Sequence, residues 1–319
     1  MVREELHIGG TPMITAQESI TAKLCSFARA YHSTMGREKI FDDYLAYDII
    51  GREEYAQLDG LLREAFSALP TRPRYGFENV WLFEELDRCF TPVTLSRLAF
   101  TEEALAAFVK KHGRVQYVIC GAGMDTFAYR NTNPALTVFE LDKAATQEFK
   151  KKRIKELSWQ SVGEVHFVPV DFERGGAAEA LLAAGFSPAE PTFFSLLGVT
   201  YYLPYDALSH LLMDVGKIAS PGDQFAVDFP DETSASRNAP ERMRELAAIT
   251  ESLGEPMQPG NTLEAVWQAL HEAGFGIREH ESPAGIQQRF FKKRASHQKA
   301  FENIHFVLAQ KERNQKYIH

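Results

Sequence analysis

The spacing of apolar side chains changes near residue 112. Upstream of this point, apolar positions recur every three or four residues, which is typical of amphipathic helices. Helices are predicted at Ile14–Tyr31, within Tyr44–Phe66 with a break near Gly51, at Asn79–Cys89 and from Thr101 onward, with Leu69–Gly76 as a loop. Thr101 is expected to cap its helix, because Glu102 and Glu103 place acids in the first turn. Residues 1–111 are therefore predicted to form a helical N-terminal cap.

Downstream of residue 112, short apolar runs alternate with helical stretches. Strands are predicted at Val115–Cys120, Thr137–Leu141, Val165–Val170, Thr192–Leu197, Gln224–Asp228, Gly276–His280 and Ile304–Ala309. Helices are predicted at Lys143–Leu157, Ala177–Ala184, Tyr205–Ile218 and across Leu263–Leu270. Strands that alternate with helices in this way indicate an α/β fold with a doubly wound, mostly parallel sheet, here of seven strands.

Two features of the second part, residues 112–319, depart from simple alternation. The last two strands have no clear crossover helix between them, so they are expected to form an antiparallel hairpin at one edge of the sheet. Residues 231–260 are too long for an ordinary connection. This segment is predicted to be a helical insertion that covers the functional site as a lid.

Composition and charge narrow the class of protein. The chain has 319 residues, of which 45% are hydrophobic and 24% are charged, as in ordinary globular proteins. Its 35 basic and 43 acidic residues give a net charge of −8, which argues against a nucleic-acid partner. The run Lys150–Arg153 is interpreted as a solvated helix face.

The cysteines and the apolar runs predict a location. Cys25, Cys89 and Cys120 are odd in number and form no CxxC pair, which favours a reducing compartment and argues against a structural zinc or another metal site. The N-terminus lacks the apolar segment of a signal peptide, and the apolar run Phe193–Leu203 is too short to span a bilayer. A cytoplasmic protein without a membrane partner is expected.

The candidate chemistry begins directly after the first predicted strand. Gly121 and Gly123 stand where ligands bind in doubly wound sheets, and glycines let the backbone approach a ligand closely. The same pair also fits a simple tight turn. Asp142 follows Gly121 by 21 residues and ends the second strand, a spacing at which an acid accepts hydrogen bonds from ribose hydroxyls. Glu140 shares its face of the strand and is an alternative, while Asp142 is also placed to cap the following helix.

The loop after the first strand differs from the dinucleotide fingerprint. Thr126 stands at the third glycine position, and that glycine permits the close helix approach that a pyrophosphate needs. S-adenosylmethionine contains ribose and adenine but no pyrophosphate, so the pattern favours a methyl donor over a nicotinamide cofactor. Asp171, at the end of the third strand, is placed to meet the adenine amino group or to cap a helix.

Several segments resemble the leucine carboxyl methyltransferase family, which includes bacterial polyketide O-methyltransferases similar to the tetracenomycin enzyme. The segments that carry the resemblance are QYVICGAGMDT at 116–126 with Tyr129-Arg130, VFELD at 138–142, VPVD at 168–171, GVTYYLP at 198–204 and, more weakly, Thr21-Ala22, Arg29-Ala30 and Phe41-Asp42-Asp43. The resemblance extends over nearly the whole chain. It implies a Rossmann-like class I methyltransferase fold that binds S-adenosylmethionine.

The resemblance also implies roles for individual residues around the donor's nucleoside. Gly121, with Gly123 beside it, would contact the methionine part of the donor. Asp142 would hold the ribose, and Asp171 and Phe172 would flank the adenine. These assignments agree with the spacing of the same residues relative to the predicted strands.

The amino-acid end of the donor depends on three further positions. Arg97 resembles the arginine that pairs with the methionine carboxylate, for which a planar guanidinium is well suited, although it also fits a surface arginine. Arg29 is a candidate for a second carboxylate contact. Leu197 stands where many family members carry a glutamate that helps to hold the donor's ammonium group. Backbone carbonyls near Gly121 or Ser195 are the expected replacement.

The acceptor is predicted to be a carboxylate of a small molecule or a peptide. Tyr201 and Tyr202 are candidates to face the sulfonium or the substrate, although simple packing explains them equally well. A carboxyl group, with a pKa of about 4, is ionised at pH 7, whereas a phenol with a pKa near 10 needs a base. The sequence shows no His–Asp pair placed to remove a proton. For a hydroxyl acceptor, Tyr201, Tyr202 and His305 are the first candidate bases.

The predicted activity is S-adenosylmethionine-dependent O-methylation. The alternatives are a non-catalytic S-adenosylmethionine-binding protein and an NAD-dependent oxidoreductase.

Overall fold

Helices make up the N-terminal part of the chain in the computed structural model, which describes residues 19–35, 38–69, 78–294 and 298–313. They are α1 (Ile20–Met35), α2 (Ala46–Ile50), α3 (Arg52–Ser67), α4 (Glu78–Cys89) and α5 (Thr91–His112). The predicted break near Gly51 separates α2 from α3 as expected. Residues 14–18 of the predicted first helix and most of the predicted loop at 69–76 lie outside the described residues.

The long helix α5 begins ten residues before the predicted start at Thr101. Its first turn contains Pro92, whose missing N–H costs nothing there and whose fixed φ favours the helix. Thr101 is completely buried in the interior of the helix, so the expected cap was wrong. The segment from Thr91 to Leu98 is buried on all sides, and such a segment shows no apolar–polar periodicity from which a helix start could be recognised.

A seven-stranded mixed sheet follows the helical part. Its strands are β1 (Val115–Cys120), β2 (Leu136–Asp142), β3 (Val165–Pro169), β4 (Thr192–Leu196), β5 (Gln224–Pro230), β6 (Phe275–Glu281) and β7 (Ile304–Lys311). Their order in the sheet is β3-β2-β1-β4-β5-β7-β6. The first five strands are parallel, and β7 pairs antiparallel with both β5 and β6. The predicted doubly wound sheet with an antiparallel edge hairpin is confirmed.

The connections between the strands carry the remaining helices. These are α6 (Phe127–Arg130), α7 (Ala144–Leu157), α8 (Ala177–Ala183), α9 (Tyr205–Ile218), α10 (Glu241–Ser252), α11 (Leu263–Glu272) and α12 (Pro283–Ile286). In α9, Leu208, Leu211 and Val215 recur at helical spacing, and all three are buried against the sheet.

Each face of the sheet has its own apolar core. In β1, Val118 and Cys120 point to the core that contains α8, α9 and α11, whereas Tyr117 and Ile119 point to the core shared with the N-terminal helices and α10. This alternation follows from the two-residue period of a strand. The register pairs Cys120 with Leu141 and with Leu196, so the ends of β1, β2 and β4 lie side by side.

Candidate active site

A cavity of about 1000 Å³ lies at the carboxyl ends of the parallel strands. One group of lining residues comes from the loops after β1 to β4: residues 121–125, 142–143, 170–173 and 197–199. A second group comes from α1, α3, α5 and α10 and the residues that adjoin them. The volume stands at the upper end of the roughly 300–1000 Å³ that small-molecule and cofactor sites occupy.

Two glycines shape the loop after β1. Gly121 has φ of 78° and Gly123 has φ of 48°, a region that side-chain-bearing residues rarely adopt. A Cβ at Gly121 would lie 2.2 Å from Val199 Cγ2, and one at Gly123 would lie 2.9 Å from Ala22 Cβ. The loop therefore requires glycine at both positions, and both line the cavity.

Asp142 ties this loop to the end of β2. Its Oδ2 accepts a hydrogen bond from Gly123 N at 2.7 Å, and its Oδ1 accepts one from Lys143 N at 2.7 Å. Burial raises the pKa of Asp142, although both backbone N–H groups favour the ionised form. The residue that caps α7 is Lys143, and it makes no side-chain capping bond. Asp142 thus anchors the glycine loop and still lines the cavity, where it retains lone pairs for a ligand.

Glu140 does not line the cavity, contrary to the expectation from its position on β2. Its side chain is 1% exposed, and its Oε2 accepts a hydrogen bond from Lys150 Nζ at 2.6 Å. Helix α7 covers this position, and Gln147 on the same helix donates to the Glu140 carbonyl. The interpretation of Lys150 as a solvated residue was therefore wrong as well, because it is the buried counterion of Glu140.

Arg97 is held in the cavity wall by Asp228. Arg97 Nη1 donates to Asp228 Oδ2 at 3.3 Å, and the guanidinium lies so close to Gly198 that a Cβ there would be 2.5 Å from Nη2. Burial opposes the charge of Arg97, but the Asp228 carboxylate raises its pKa, so the side chain remains a cation. This buried cation lines the cavity, as its predicted role requires.

Asp228 organises three parts of the site and was not predicted to do so. It is completely buried, and besides Arg97 it accepts hydrogen bonds from Gly198 N at 2.6 Å and from the Tyr201 hydroxyl at 2.9 Å. The available signal was an acid in strand β5, whose other residues after Gln224 are apolar. Because buried carboxylates need partners, such an acid indicates a polar network at the strand end.

Arg29 holds α1 against the loop after β1. Its Nε donates to Asp43 Oδ2 at 2.8 Å, and its Nη2 donates to the Met124 carbonyl at 2.6 Å. The Thr126 hydroxyl donates to the same Asp43 carboxylate at 2.6 Å. Arg29 also lines the cavity, but these contacts make it a positioning residue for the loop, and its contact with a ligand carboxylate stays a prediction.

The end of β3 contributes Asp171 and Phe172 to the cavity. Asp171 Oδ1 accepts a hydrogen bond from Glu173 N at 3.2 Å, which stabilises the turn after the strand. The next helix, α8, begins only at Ala177 with Gly176 as its cap, so Asp171 does not cap a helix. The ring of Phe172 is buried beside it.

Tyr201, Tyr202 and Leu197 line the cavity next to Arg97. Burial raises the pKa of both phenols well above the usual value, so both are neutral at pH 7. The Tyr201 hydroxyl is committed to Asp228. These tyrosines are therefore suited to contact a ligand through their rings or hydroxyls and unsuited to remove a proton.

A His–Asp pair exists that the sequence did not reveal, but it lies outside the cavity. His305 Nε2 is 3.3 Å from Asp231 Oδ2, and His305 Nδ1 is 2.9 Å from His280 Nε2. The three side chains come from β6, β7 and the end of β5, at the antiparallel edge of the sheet. His305, the third candidate base, therefore does not face a ligand in the cavity.

The segment predicted as a lid, residues 231–260, supplies α10 to the cavity wall. Glu255, just beyond this helix, accepts hydrogen bonds from Ile20 N at 2.9 Å and from Thr21 N at 3.1 Å. These are backbone donors at the beginning of α1, where an anion is favoured. A second tie joins Glu245 of α10 to Arg88 of α4. The insertion is thus fastened to the N-terminal helices at two places.

We expect Glu255→Ala to loosen the insertion. The variant loses at least two hydrogen bonds to an ionised acceptor, each worth roughly 1.5–3 kcal/mol, so local opening should increase by about tenfold or more. Limited proteolysis followed by mass spectrometry would measure the rate of cleavage within residues 231–260. Glu251→Ala, at an exposed position in the last turn of α10, is the control. Equal cleavage rates in the two variants would contradict a fastening role for Glu255.

Two features of the described residues concern membranes and metals. None of the helices there has the length and apolarity needed to cross a membrane. Within the same ranges, no group of three or more His, Cys, Asp or Glu side chains is arranged to hold a metal ion.

The strand order, the glycine loop after β1 and the acid at the end of β2 define a Rossmann-like α/β protein that binds a nucleoside-containing ligand at the carboxyl edge of its sheet. A family model described as leucine carboxyl methyltransferase matches residues 22–216. The chain belongs to this family. The resemblance to this family is confirmed. The chain is therefore a methyltransferase that uses S-adenosylmethionine as its cofactor. The nicotinamide alternative is thereby set aside.

Individual relatives agree with this assignment, and a solved structure has a similar fold. YktD of Bacillus subtilis, named as a candidate S-adenosyl-L-methionine-dependent methyltransferase, is 33% identical over 304 residues, which cover 92% of this chain and 98% of that protein. A Mycolicibacterium smegmatis protein of the same description is 35% identical over 162 residues, 50% of this chain and 53% of that protein. The crystal structure of a DUF574 family protein from Streptomyces avermitilis has a similar fold, with a TM-score of 0.54, 14% identity and coverage of 89% of this chain and 96% of that chain.

Proposed function

We propose that this chain transfers the methyl group of S-adenosylmethionine to an oxygen atom of a small molecule, and that this oxygen belongs to a carboxylate. The observation that carries the proposal is the cavity, because the glycine loop and Asp142 line the same space as the apolar side chains of α3 and α10. A peptide carboxylate is the other acceptor of the same chemistry.

The residues present suit the donor. The glycine loop offers close backbone approach where a side chain would clash, as the contacts of Gly121 and Gly123 show. Asp142 would accept hydrogen bonds from the ribose, and Asp171 with Phe172 would flank the adenine. Arg97, a buried cation, would face the methionine carboxylate. Leu197 carries no charge, so the donor's ammonium group would rely on backbone carbonyls.

The chemistry needs orientation more than proton transfer. The bound donor supplies a methyl group that is already electrophilic on a sulfonium. The protein's contribution is to hold the acceptor oxygen in line and to exclude water. Tyr201 and Tyr202 are neutral, and no histidine lines the cavity among the described residues. An acceptor that is already ionised, such as a carboxylate, matches a site of this kind.

We expect the methylated product to release methanol in mild alkali. The purified chain would be incubated with methyl-labelled S-adenosylmethionine and cell extract, and the label that becomes volatile after alkali would be counted. A methyl ester hydrolyses under these conditions, whereas a methyl ether does not. An alkali-stable product would contradict the carboxylate and indicate a hydroxyl acceptor. Complete absence of labelled product across varied extracts would favour the non-catalytic alternative.

We also propose a cytoplasmic location, which rests on the thiols. Cys25, Cys89 and Cys120 are all free in the structure. Free thiols in a chain of this length fit a reducing compartment.

A further inference from the structure

An apolar patch forms much of the helix-lined wall of the cavity, which also contains the polar residues Glu64, Thr94 and Ser252. We name it the acceptor compartment, defined by Leu61, Ala65, Leu69, Phe90, Val93, Leu246, Ile249 and Leu253. All eight side chains are apolar, and they come from α3, α10 and the chain around the start of α5. Because the compartment is continuous with the loops that form the donor site, a molecule bound there has direct access to the donor.

We propose that the acceptor compartment binds an uncharged, apolar body, and that the reacting carboxylate is the acceptor's one charged group. This inference rests on the proposed function and names the substrate class for it. The compartment selects the acceptor through contacts with its apolar body, and the loops of the donor site hold the methyl donor.

The distribution of charge around the cavity supports this class. Among the described lining residues, the cations are Arg29, Arg97 and Lys143, and all three belong to the donor side. The charged residues next to the acceptor compartment are the acids Glu64 and Glu255. A second carboxylate or a phosphate on the acceptor would be desolvated beside these acids without a counterion, which is strongly unfavourable.

The experiment uses the neutral fluorescent probe N-phenyl-1-naphthylamine with the full chain saturated by S-adenosylhomocysteine. Two acids of similar size then compete for the probe: 6-methyl-2-naphthoic acid and 2,6-naphthalenedicarboxylic acid. We expect the monoacid to displace the probe at a concentration about tenfold or more below that of the diacid. Equal displacement by the two acids would overturn the proposal.

Variants locate the probe. Leu61 is half-buried on α3, so Leu61→Glu is expected to reduce probe affinity about tenfold while leaving S-adenosylhomocysteine affinity within about twofold. Ala65→Trp, which fills the same space without a charge, should reduce it similarly. Leu182→Glu, at an exposed position of α8 remote from the cavity, is the control.

Three outcomes separate this inference from the proposed function. Undiminished probe binding in both Leu61→Glu and Ala65→Trp, or displacement of the probe by S-adenosylhomocysteine itself, would overturn the acceptor compartment. Failure of the wild-type chain to bind S-adenosylhomocysteine would instead overturn the proposed function. The probe measurements would then still show whether the compartment binds an apolar molecule.

Discussion

Asp142→Ala is expected to lower the affinity for S-adenosylhomocysteine by about 100-fold or more. The ribose hydroxyls would lose two hydrogen bonds to an ionised acceptor, each worth roughly 1.5–3 kcal/mol, and 1.4 kcal/mol corresponds to a factor of ten. The Gly123 N–H would lose its acceptor at the same time, which adds to the loss. Isothermal titration calorimetry would measure the affinity, and circular dichroism would show that the fold is retained.

The neighbouring acid on the same face of β2 provides the matched control. The double variant Glu140→Gln/Lys150→Met replaces a buried ion pair by neutral side chains of similar volume, a change that is often neutral for stability. Because Glu140 does not line the cavity, this variant should bind S-adenosylhomocysteine with unchanged affinity. If Asp142→Ala bound as tightly as the control, Asp142 would have no role beyond anchoring the loop.

Asp228→Asn should have the largest effect on stability. The substitution leaves the buried Arg97 guanidinium without its counterion, and breaking a buried ion pair in this way costs about 3–5 kcal/mol. Donor affinity should also fall, because Asp228 holds both Arg97 and the Gly198 N–H in place. Urea denaturation would give the free energy of unfolding, and calorimetry the affinity for S-adenosylhomocysteine.

Removing both charges separates the two effects. Arg97→Met/Asp228→Asn has no unpaired charge, so we expect it to regain much of the lost stability while donor binding stays weak. A free energy of unfolding for Asp228→Asn that lies within about 0.5 kcal/mol of the wild-type value, the range of ordinary surface substitutions, would rule out a buried network centred on Asp228.

The central strands of the sheet were predictable because they are short runs of mostly apolar residues with turn or helix signals on both sides. The start of α5 was not, since its first turns are buried on all sides and resemble no amphipathic pattern. Strand boundaries shifted by one or two residues, as at Leu136 and Pro230, where backbone pairing extends beyond the apolar run.

Several predicted site residues that line the cavity have a place that depends on local chain order. Gly121 follows β1 directly, Asp142 ends β2 and Asp171 lies two residues after β3, and parallel strands bring such positions together. The expectation that Glu140 lines the site was wrong because α7 covers this side chain, and the alternation of residues along β2 does not show which helix packs there. Asp228 and Glu255 were missed because their partners lie 131 and 235 residues away, at Arg97 and Ile20.

The ion pair between Arg88 of α4 and Glu245 of α10 has a consequence for how acceptor specificity can be exchanged between relatives. The wall of the acceptor compartment is built from α3 and the start of α5 on one side and from α10 on the other, and this ion pair joins the two sides. A chimaera that imports only one side would leave Arg88 or Glu245 facing a foreign side chain in place of its partner. Grafts that change the acceptor are therefore expected to succeed when both sides are transplanted from the same parent.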